Sequence, residues 1–174
     1  MNLSGKNIIL RALEPSDIDM LYKWENDPAT WKVSHTLAPF SRHTLEQYIL
    51  SAHEDIYTAK QLRLVIQKKD PSAAIGTIDL FEFDPLHLRT GVGVMIADET
   101  DKRNGHATEA LSLLIPYCFE TLHLNQVYCN VSKENEASVK LFMKFGFEIT
   151  GIKKQWIRNA GGFEDEYLMQ LLRK

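Results

Sequence analysis

Gly91-Val92-Gly93-Val94-Met95-Ile96-Ala97, followed shortly by Lys102-Arg103-Asn104-Gly105-His106-Ala107-Thr108, is the stretch on which the fold turns. The first seven residues read as a strand. Beyond the loop, Ala107, Ala110, Leu111, Leu114, Ile115, Cys118 and Phe119 recur at helical spacing and make one apolar stripe. Pro116 interrupts that stripe. It predicts a kink and a missing hydrogen bond to the Ser112 carbonyl, because proline has no N–H to give. Gln126 to Ser132 then reads as another strand.

Upstream of the join the chain is rich in strands. Leu62 to Gln67 alternates, with Leu62, Leu64 and Ile66 on one side. Asp70-Pro71-Ser72 marks a turn, and Ile75 to Phe83 is the next run. Strict alternation there would put Asp79, Phe81 and Phe83 on one face and Ile78, Leu80 and Glu82 on the other. Asp84-Pro85-Leu86-His87 suits an antiparallel connection into the strand from Thr90 to Ala97. Earlier still, Asn7 to Leu13 reads as a first strand. Glu14-Pro15-Ser16-Asp17 opens a helix that carries Ile18, Leu21, Tyr22 and Glu25 on one face, and Asn26-Asp27-Pro28 ends it. Pro39-Phe40-Ser41 opens a second helix with Leu45, Tyr48, Ile49, Ala52 and Ile56 at helical spacing.

Downstream, Asn135 to Phe145 predicts a short helix stopped by Gly146, a residue type that accepts the left-handed terminating conformation. Phe147 to Ile152 and Glu166 to Leu172 close the chain as strands, with Glu164-Asp165-Glu166 read as a solvated turn. The order β-α-α-β-β-β-α-β-α-β-β describes an α/β (α+β) fold, a mixed sheet flanked by helices. No repeat, linker or low-complexity tract divides it, so residues 1–174 are expected to form a single domain.

A formal charge of −3 argues against nucleic acid as the main partner, since duplex binding usually needs a clustered basic face. Two cysteines, Cys118 and Cys129, are too few for a disulfide framework and read as reduced core residues. The opening Met1-Asn2-Leu3-Ser4-Gly5-Lys6 lacks an apolar signal region, and no stretch reaches the length of a membrane span. The cytoplasm is the expected compartment, with no membrane partner.

The chemistry concentrates at the join. A helix beginning near Gly105 presents unpaired N–H groups and a partial positive charge, which together suit a phosphate. Small residues at Gly105 and Ala107 would let a pyrophosphate approach the main chain, and Lys102 and Arg103 would add charge. Thr108 would bond a phosphate or cap the helix. A plain glycine turn ahead of a buried helix, with His106 solvated, is the other reading. The segment is neither a P-loop nor a dinucleotide fingerprint, because the glycines those motifs need are absent.

A second segment is more specific: Glu134-Asn135-Glu136-Ala137-Ser138-Val139-Lys140-Leu141-Phe142-Met143-Lys144-Phe145-Gly146-Phe147. It resembles the Glu-Asn-x-x-Ala/Ser-x-x-Leu-Tyr-x-x-x-Gly-Phe pattern of the GCN5-related N-acetyltransferases (GNAT). Lys102, Gly105 and Ala107 resemble that family's Gln/Arg-x-x-Gly-x-Gly/Ala loop. Ala107-Thr108-Glu109-Ala110-Leu111 and the tail from Gly161 through Asp165 to Leu172 resemble the branch of ribosomal-protein N-terminal and polyamine acetyltransferases. The likeness covers the last hundred or so residues well and the opening Ile9-Leu10-Arg11 more loosely.

The resemblance implies acetyl-CoA as cosubstrate, no metal, and transfer of acetyl to a primary amine by direct attack. It implies a cleft where two neighbouring parallel strands splay, here Gly91–Ala97 and Gln126–Ser132. Main chain near Met95, Ile96 and Ala97 would hold the pantetheine, and an N–H there would stabilise the oxyanion. Lys102, Arg103, Asn104, Gly105, His106, Ala107 and Thr108 would surround the pyrophosphate. Asn135 would contact the pantetheine, cap a helix, or do both. Glu82 matches a cleft carboxylate of the polyamine-type relatives. Set among apolar neighbours, it is the expected base, with an edge-strand carboxylate in solvent as the alternative. Trp24, Trp31 and Tyr48 would line an acceptor pocket or sit in the core.

Three departures stand out against that pattern. Lys102 replaces Gln or Arg, and the loop from Ala97 to Gly105 is about one residue longer. Phe142 stands where many relatives carry a tyrosine that protonates the leaving thiolate, and phenylalanine has no proton to donate. The resemblance implies as acceptor a small polyamine-like cation, a protein N-terminal amine or an amine antibiotic, with a homodimer as the assembly left open. Polyamine relatives carry paired carboxylates shortly before a proline where this chain has Leu37-Ala38-Pro39. A CoA-binding regulatory module with little turnover, or a plain interaction domain, remains as an alternative.

Overall fold

A computed structural model of the chain describes residues 3–34, 36–159 and 161–174. Met1 and Asn2 of the opening stretch lie outside them. β1 (Ile8–Arg11) leads through a 3-10 turn at Pro15–Asp17 into α1 (Ile18–Glu25). α2 (Pro28–Ser34), α3 (Arg42–Ser51) and α4 (Ile56–Ala59) follow, then β2 (Leu62–Lys69), β3 (Ser72–Asp84) and β4 (Arg89–Ile96). α5 (His106–Pro116) runs into a π turn at Tyr117–Thr121, and β5 (Gln126–Ser132), α6 (Glu136–Lys144), β6 (Glu148–Asn159) and β7 (Gly162–Leu172) complete the chain.

The strands form one sheet in the order β1-β2-β3-β4-β5-β7-β6. Every neighbouring pair is antiparallel except β4 and β5, which are parallel. A parallel pair needs a crossover, and α5 supplies it. The stripe read from the sequence is the face α5 buries. Ala110, Leu111, Leu114 and Cys118 are all within 1% of full burial, against Ile78, Leu80 and Val92 of the sheet. Each such leucine contributes roughly 1.5–3 kcal/mol. Burial pushes the thiols of Cys118 and Cys129 up to about 12, so both stay protonated and inert, as core cysteines do.

Four expectations change. Pro28 ends α1 but also begins α2, since proline fits the first turn of a helix, and Asp27 Oδ1 accepts the Ala29 N–H at 2.8 Å. The second predicted helix breaks after Ser51, and Ile56 starts a separate turn because the Asp55 side chain caps the Tyr57 and Thr58 N–H groups. Alternation along β3 slips by one residue at a bulge, where Glu82 has a φ of 49°. Phe83 therefore joins Ile78 and Leu80 in the core. Finally, Glu164-Asp165-Glu166 is no turn. It lies inside β7, whose hairpin with β6 extends to Asn159 and Gly162. Lysines at 153 and 154 pair with Glu166 and Asp165 across the hairpin, so charge that reads as solvated holds two strands together.

At Pro116 the regular α5 pattern stops, as its missing N–H requires. The chain continues in the wider π turn, with the Leu122 N–H donating to the Tyr117 carbonyl at 3.1 Å.

Candidate active site

β4 and β5 pair only from Arg89 to Gly91 on one side and Gln126 to Tyr128 on the other. Beyond that point β4 stays bound to β3 as far as Ile96, while β5 stays bound to β7 as far as Ser132. The two strands part, and one edge of β4 from Val92 onward has no strand beside it. The foot of the split has a definite construction. The Phe81 ring lies where a side chain at Gly91 would be, 2.2 Å from an added Cβ, and meets Tyr128 edge-on with ring centroids 6.0 Å apart. The Tyr128 hydroxyl donates to Glu82. Burial and that bond both raise the Tyr128 pKa, so the phenol holds its proton.

A cavity of about 440 Å³ opens in the split. Val94 and Met95 of β4, Ser132 of β5, Asn135, and Ser138 and Phe142 of α6 are among the residues that line it. Asn135 is the N-cap of α6, its Oδ1 accepting the Ser138 N–H at 3.2 Å, and it faces the cavity as well. Phe142 is 3% exposed and packs against Phe147 with centroids 5.1 Å apart. Ile96 carries the main chain on from Met95, and the Ala97 N–H donates to the Ile75 carbonyl at 2.9 Å.

At the far end of β4 the loop returns to α5 through Gly105, which has a φ of 83° and no atom within 4 Å of an added Cβ. Only glycine adopts that conformation without cost, and the space above it is open. Lys102 pairs with Glu99 at 2.6 Å, and the Asn104 amide donates to the Thr100 carbonyl at 2.9 Å. Arg103 has a φ of 63° and is exposed. Ala107 and Thr108 are half-buried in the first turn of α5. His106 Nδ1 is buried without a hydrogen-bond partner, the single such side-chain atom among the described residues.

The lining also carries charge. Arg63 of β2 donates from Nε to Asp79 Oδ1 and from Nη1 to Glu25 Oε1, each at 2.5 Å. Its guanidinium lies 5.4 Å from the Tyr48 ring centroid. Burial opposes the Arg63 charge, but Asp79, Tyr48 and Glu25 outweigh it and hold the group protonated. Burial raises the Asp79 pKa, Arg63 opposes the rise, and Glu25 adds to it. Across the cavity, Glu164 accepts from Ser132 Oγ at 2.5 Å, and Glu166 pairs with Lys153 at 2.8 Å. Thus Glu25, Asp79, Glu164 and Glu166 line one chamber, together with one arginine.

The residues anticipated from sequence divide. Met95, Asn135 and Phe142 meet at the cavity, and Gly105 to Thr108 form the start of α5 beyond it. Glu82 does not line the cavity, and its surroundings are not the apolar ones anticipated for it. It is exposed at the bulge, bonded to Tyr128. Trp24 is core, and the Trp31 indole donates to the Glu25 carbonyl at 2.7 Å. Tyr48 serves as the surface on which Arg63 lies. Arg63, Glu25, Glu164 and Glu166 were not anticipated in this role. A signal for two residues existed: Arg63 and Asp79 each stand between aliphatic residues, at Leu62–Leu64 and Ile78–Leu80, and a charge there asks for a partner.

The family described as the acetyltransferase (GNAT) domain matches residues 7–148. The chain belongs to that family. The acetyltransferase is 29% identical to the uncharacterized N-acetyltransferase YoaA of Bacillus subtilis, over 91% of this chain and 89% of that one. It is 26% identical to the spermidine N(1)-acetyltransferase of Escherichia coli, over 85% of this chain and 76% of the relative. Its fold matches the spermidine N-acetyltransferase of Vibrio cholerae, solved with CoA and spermine, at a TM-score of 0.85 and 23% identity, covering 97% and 96% of the two chains. As an acetyltransferase of this family it takes its acyl group from acetyl-CoA. Among the described residues no three His, Cys, Asp or Glu side chains gather as a metal set, and no helix is long and apolar enough to cross a membrane.

Proposed function

We propose that the chain acetylates the primary amine of a small, cationic, polyamine-like acceptor, by direct attack while both substrates are bound. The observation that carries this reading is the chamber at the split, where Glu25, Asp79, Glu164 and Glu166 face one arginine. A carboxylate-rich cavity concentrates ammonium groups and pays part of their desolvation. The names of the Escherichia coli and Vibrio cholerae relatives support the same acceptor class. A protein N-terminus is the alternative acceptor, and it carries one ammonium where a polyamine carries several.

Acetyl-CoA supplies the acetyl thioester. The residues present fit it: the β4 edge beside Val94, Met95, Ile96 and Ala97 can receive an extended pantetheine as a strand receives a partner. The open space above Gly105 and the first N–H groups of α5, at His106, Ala107 and Thr108, suit a pyrophosphate. The orphaned His106 Nδ1 gains a partner if an oxygen sits there. Lys102, Arg103 and Asn104 border that place, and Asn135 borders the pantetheine path. Glu82 anchors Tyr128 and so fixes where the strands begin to part.

Phe142 favours a second reading, a CoA-binding module with little turnover, because its ring offers no proton to a departing thiolate. A thiolate is a fair leaving group near neutral pH, its acid having a pKa of about 8.5, so turnover without that tyrosine is the stronger expectation. Thiol release assayed with spermidine, shorter diamines and a peptide with a free N-terminus separates these readings. Turnover fastest on the polycations supports the proposal. Turnover on the peptide alone changes the acceptor class. Silence throughout, with acetyl-CoA still raising the melting temperature, supports the binding module.

A further inference from the structure

The cavity holds four carboxylates, but they are not equivalent. Glu166 is 4% exposed and neutralised by Lys153, and Glu164 is bonded to Ser132. Both stand on β7, beyond β5. Glu25 approaches from α1 on the far side of Arg63. Asp79 alone stands on β3, directly opposite Gly93 of β4, the strand whose other edge is unpaired past Gly91. Gly93 has no side chain, and an added Cβ would find only the Phe81 ring, at 3.8 Å. So nothing at position 93 screens Asp79 from that edge. Its two oxygens differ as well. Oδ1 is held by Arg63, whereas Oδ2 has, among the described residues, only Thr77 Oγ1, at 3.4 Å, a weak contact.

We propose that Asp79 is the proton acceptor of the reaction, taking a proton from the bound ammonium so that the amine can attack. This rests on the amine-acetylation reading. An alkylammonium has no lone pair, so R-NH3+ must first give one proton to the Asp79 carboxylate. The amine then forms the C–N bond while the C–S bond breaks. Its second proton leaves with the sulfur as free thiol, and the proton on Asp79 passes to water. The sum is R-NH3+ and acetyl thioester giving amide, thiol and H+. Arg63, paired also to Glu25 and lying on Tyr48, favours the charged form of Asp79 and holds its carboxylate in place. The burial of Asp79 and the charge of Glu25 keep its proton affinity from falling too low for the task. Glu164 and Glu166 are the other titratable groups that line the cavity with Asp79, Glu25 and Arg63, and Thr77 lies beside Asp79 on β3.

The test compares two primary amines, an ordinary alkylamine and one whose conjugate acid is already deprotonated at neutral pH. Asp79→Asn should lower kcat for the alkylamine on the order of a hundredfold, the usual worth of a positioned base. For the unprotonated amine the loss should be under about fivefold, since no proton need leave before attack. Acetyl-CoA affinity, read by calorimetry, should be unchanged within about twofold. Should Asp79→Asn fail to fold, the wild type decides. Its kcat should show an acid limb with the alkylamine and none with the other amine. Equal losses on both amines, or the same acid limb with both, overturns the assignment of Asp79 alone. A wild type that binds acetyl-CoA and acetylates neither amine overturns the amine reading and this inference with it.

Discussion

Along β4 the split has two faces made of different material. On the proposed reading the donor face is main chain: an unpaired strand edge, the first turn of α5 and a glycine at φ 83°. The proposed acceptor face is side chains gathered from α1, β2, β3 and β7, with Arg63 joining Asp79 to Glu25. Backbone geometry of the first kind tolerates substitution of everything except its glycine, because N–H groups are the same in every residue. The second kind depends on each side chain's charge and reach.

The largest effect should come from breaking the charged face at its centre. Arg63→Met keeps the apolar stem but leaves Asp79 and Glu25 without their shared cation. Removing one partner from such a cluster should cost about 3 kcal/mol of stability. The pH dependence has a definite sign. Without Arg63 the folded-state pKa of Asp79 rises further above its unfolded value. Stability from the protonated form is then present at low pH and lost as pH rises through the folded value. The deficit of Arg63→Met against wild type should therefore be greatest near neutral pH and shrink toward pH ~4, where carboxylates take up protons. Chemical denaturation at several pH values measures this. A deficit independent of pH would mean that lost packing, not unpaired charge, sets the cost. Acetyl-CoA binding should change little in a protein that still folds.

The converse experiment strikes the main-chain face. Gly105→Glu places a bulky anion where an added Cβ meets open space, and it forces a left-handed φ on a residue that resists it. Repulsion and sterics together should weaken acetyl-CoA binding at least tenfold, about 1.4 kcal/mol. The melting temperature without ligand should fall only slightly, since the position is exposed. Unchanged affinity in the folded variant would move the donor site away from α5. If the acceptor chamber is independent, amine binding should survive.

The same contrast explains what could be read in advance. Gly105 and the apolar stripe of α5 are local in sequence, so their spacing marks the start of the crossover helix and the order of the central strands, while the pantetheine role expected of Asn135 rests on the family resemblance. Gln126–Ser132 matches β5 residue for residue because buried strands flanked by polar turns are easily bounded. The proposed acceptor face joins residues 25, 63, 79, 164 and 166, which no local period relates. Glu82 illustrates the problem. Alternation placed it with Ile78 and Leu80, but one bulge residue shifted everything after Phe81 by a position. The extension of the β6–β7 hairpin was hidden for another reason. Its strands are charged outside and held by cross-strand ion pairs, so they lack the apolar alternation by which strands are recognised.

The smallest predicted effect lies where the two faces meet, at Phe142. Its ring is 3% exposed, lines the cavity and packs edge-on against Phe147. Phe142→Tyr adds one oxygen and little volume. A positioned acid typically gives 10²–10⁴-fold when proton transfer limits the rate. Here the leaving thiolate departs with little help, so the gain in kcat should be tenfold or less, under about 1.4 kcal/mol. The new hydroxyl needs a partner if it stays buried, and going without one would cost about 1–3 kcal/mol of stability. The melting temperature therefore reports whether the hydroxyl found one. A rise in kcat with an unchanged melting temperature would show that the chamber still has room for the acid. A fall in melting temperature with kcat unchanged would show that the Phe142–Phe147 packing has closed over its place. A silent wild type with an active variant would reverse the assignment altogether, making Phe142 the reason a donor-binding protein does not turn over.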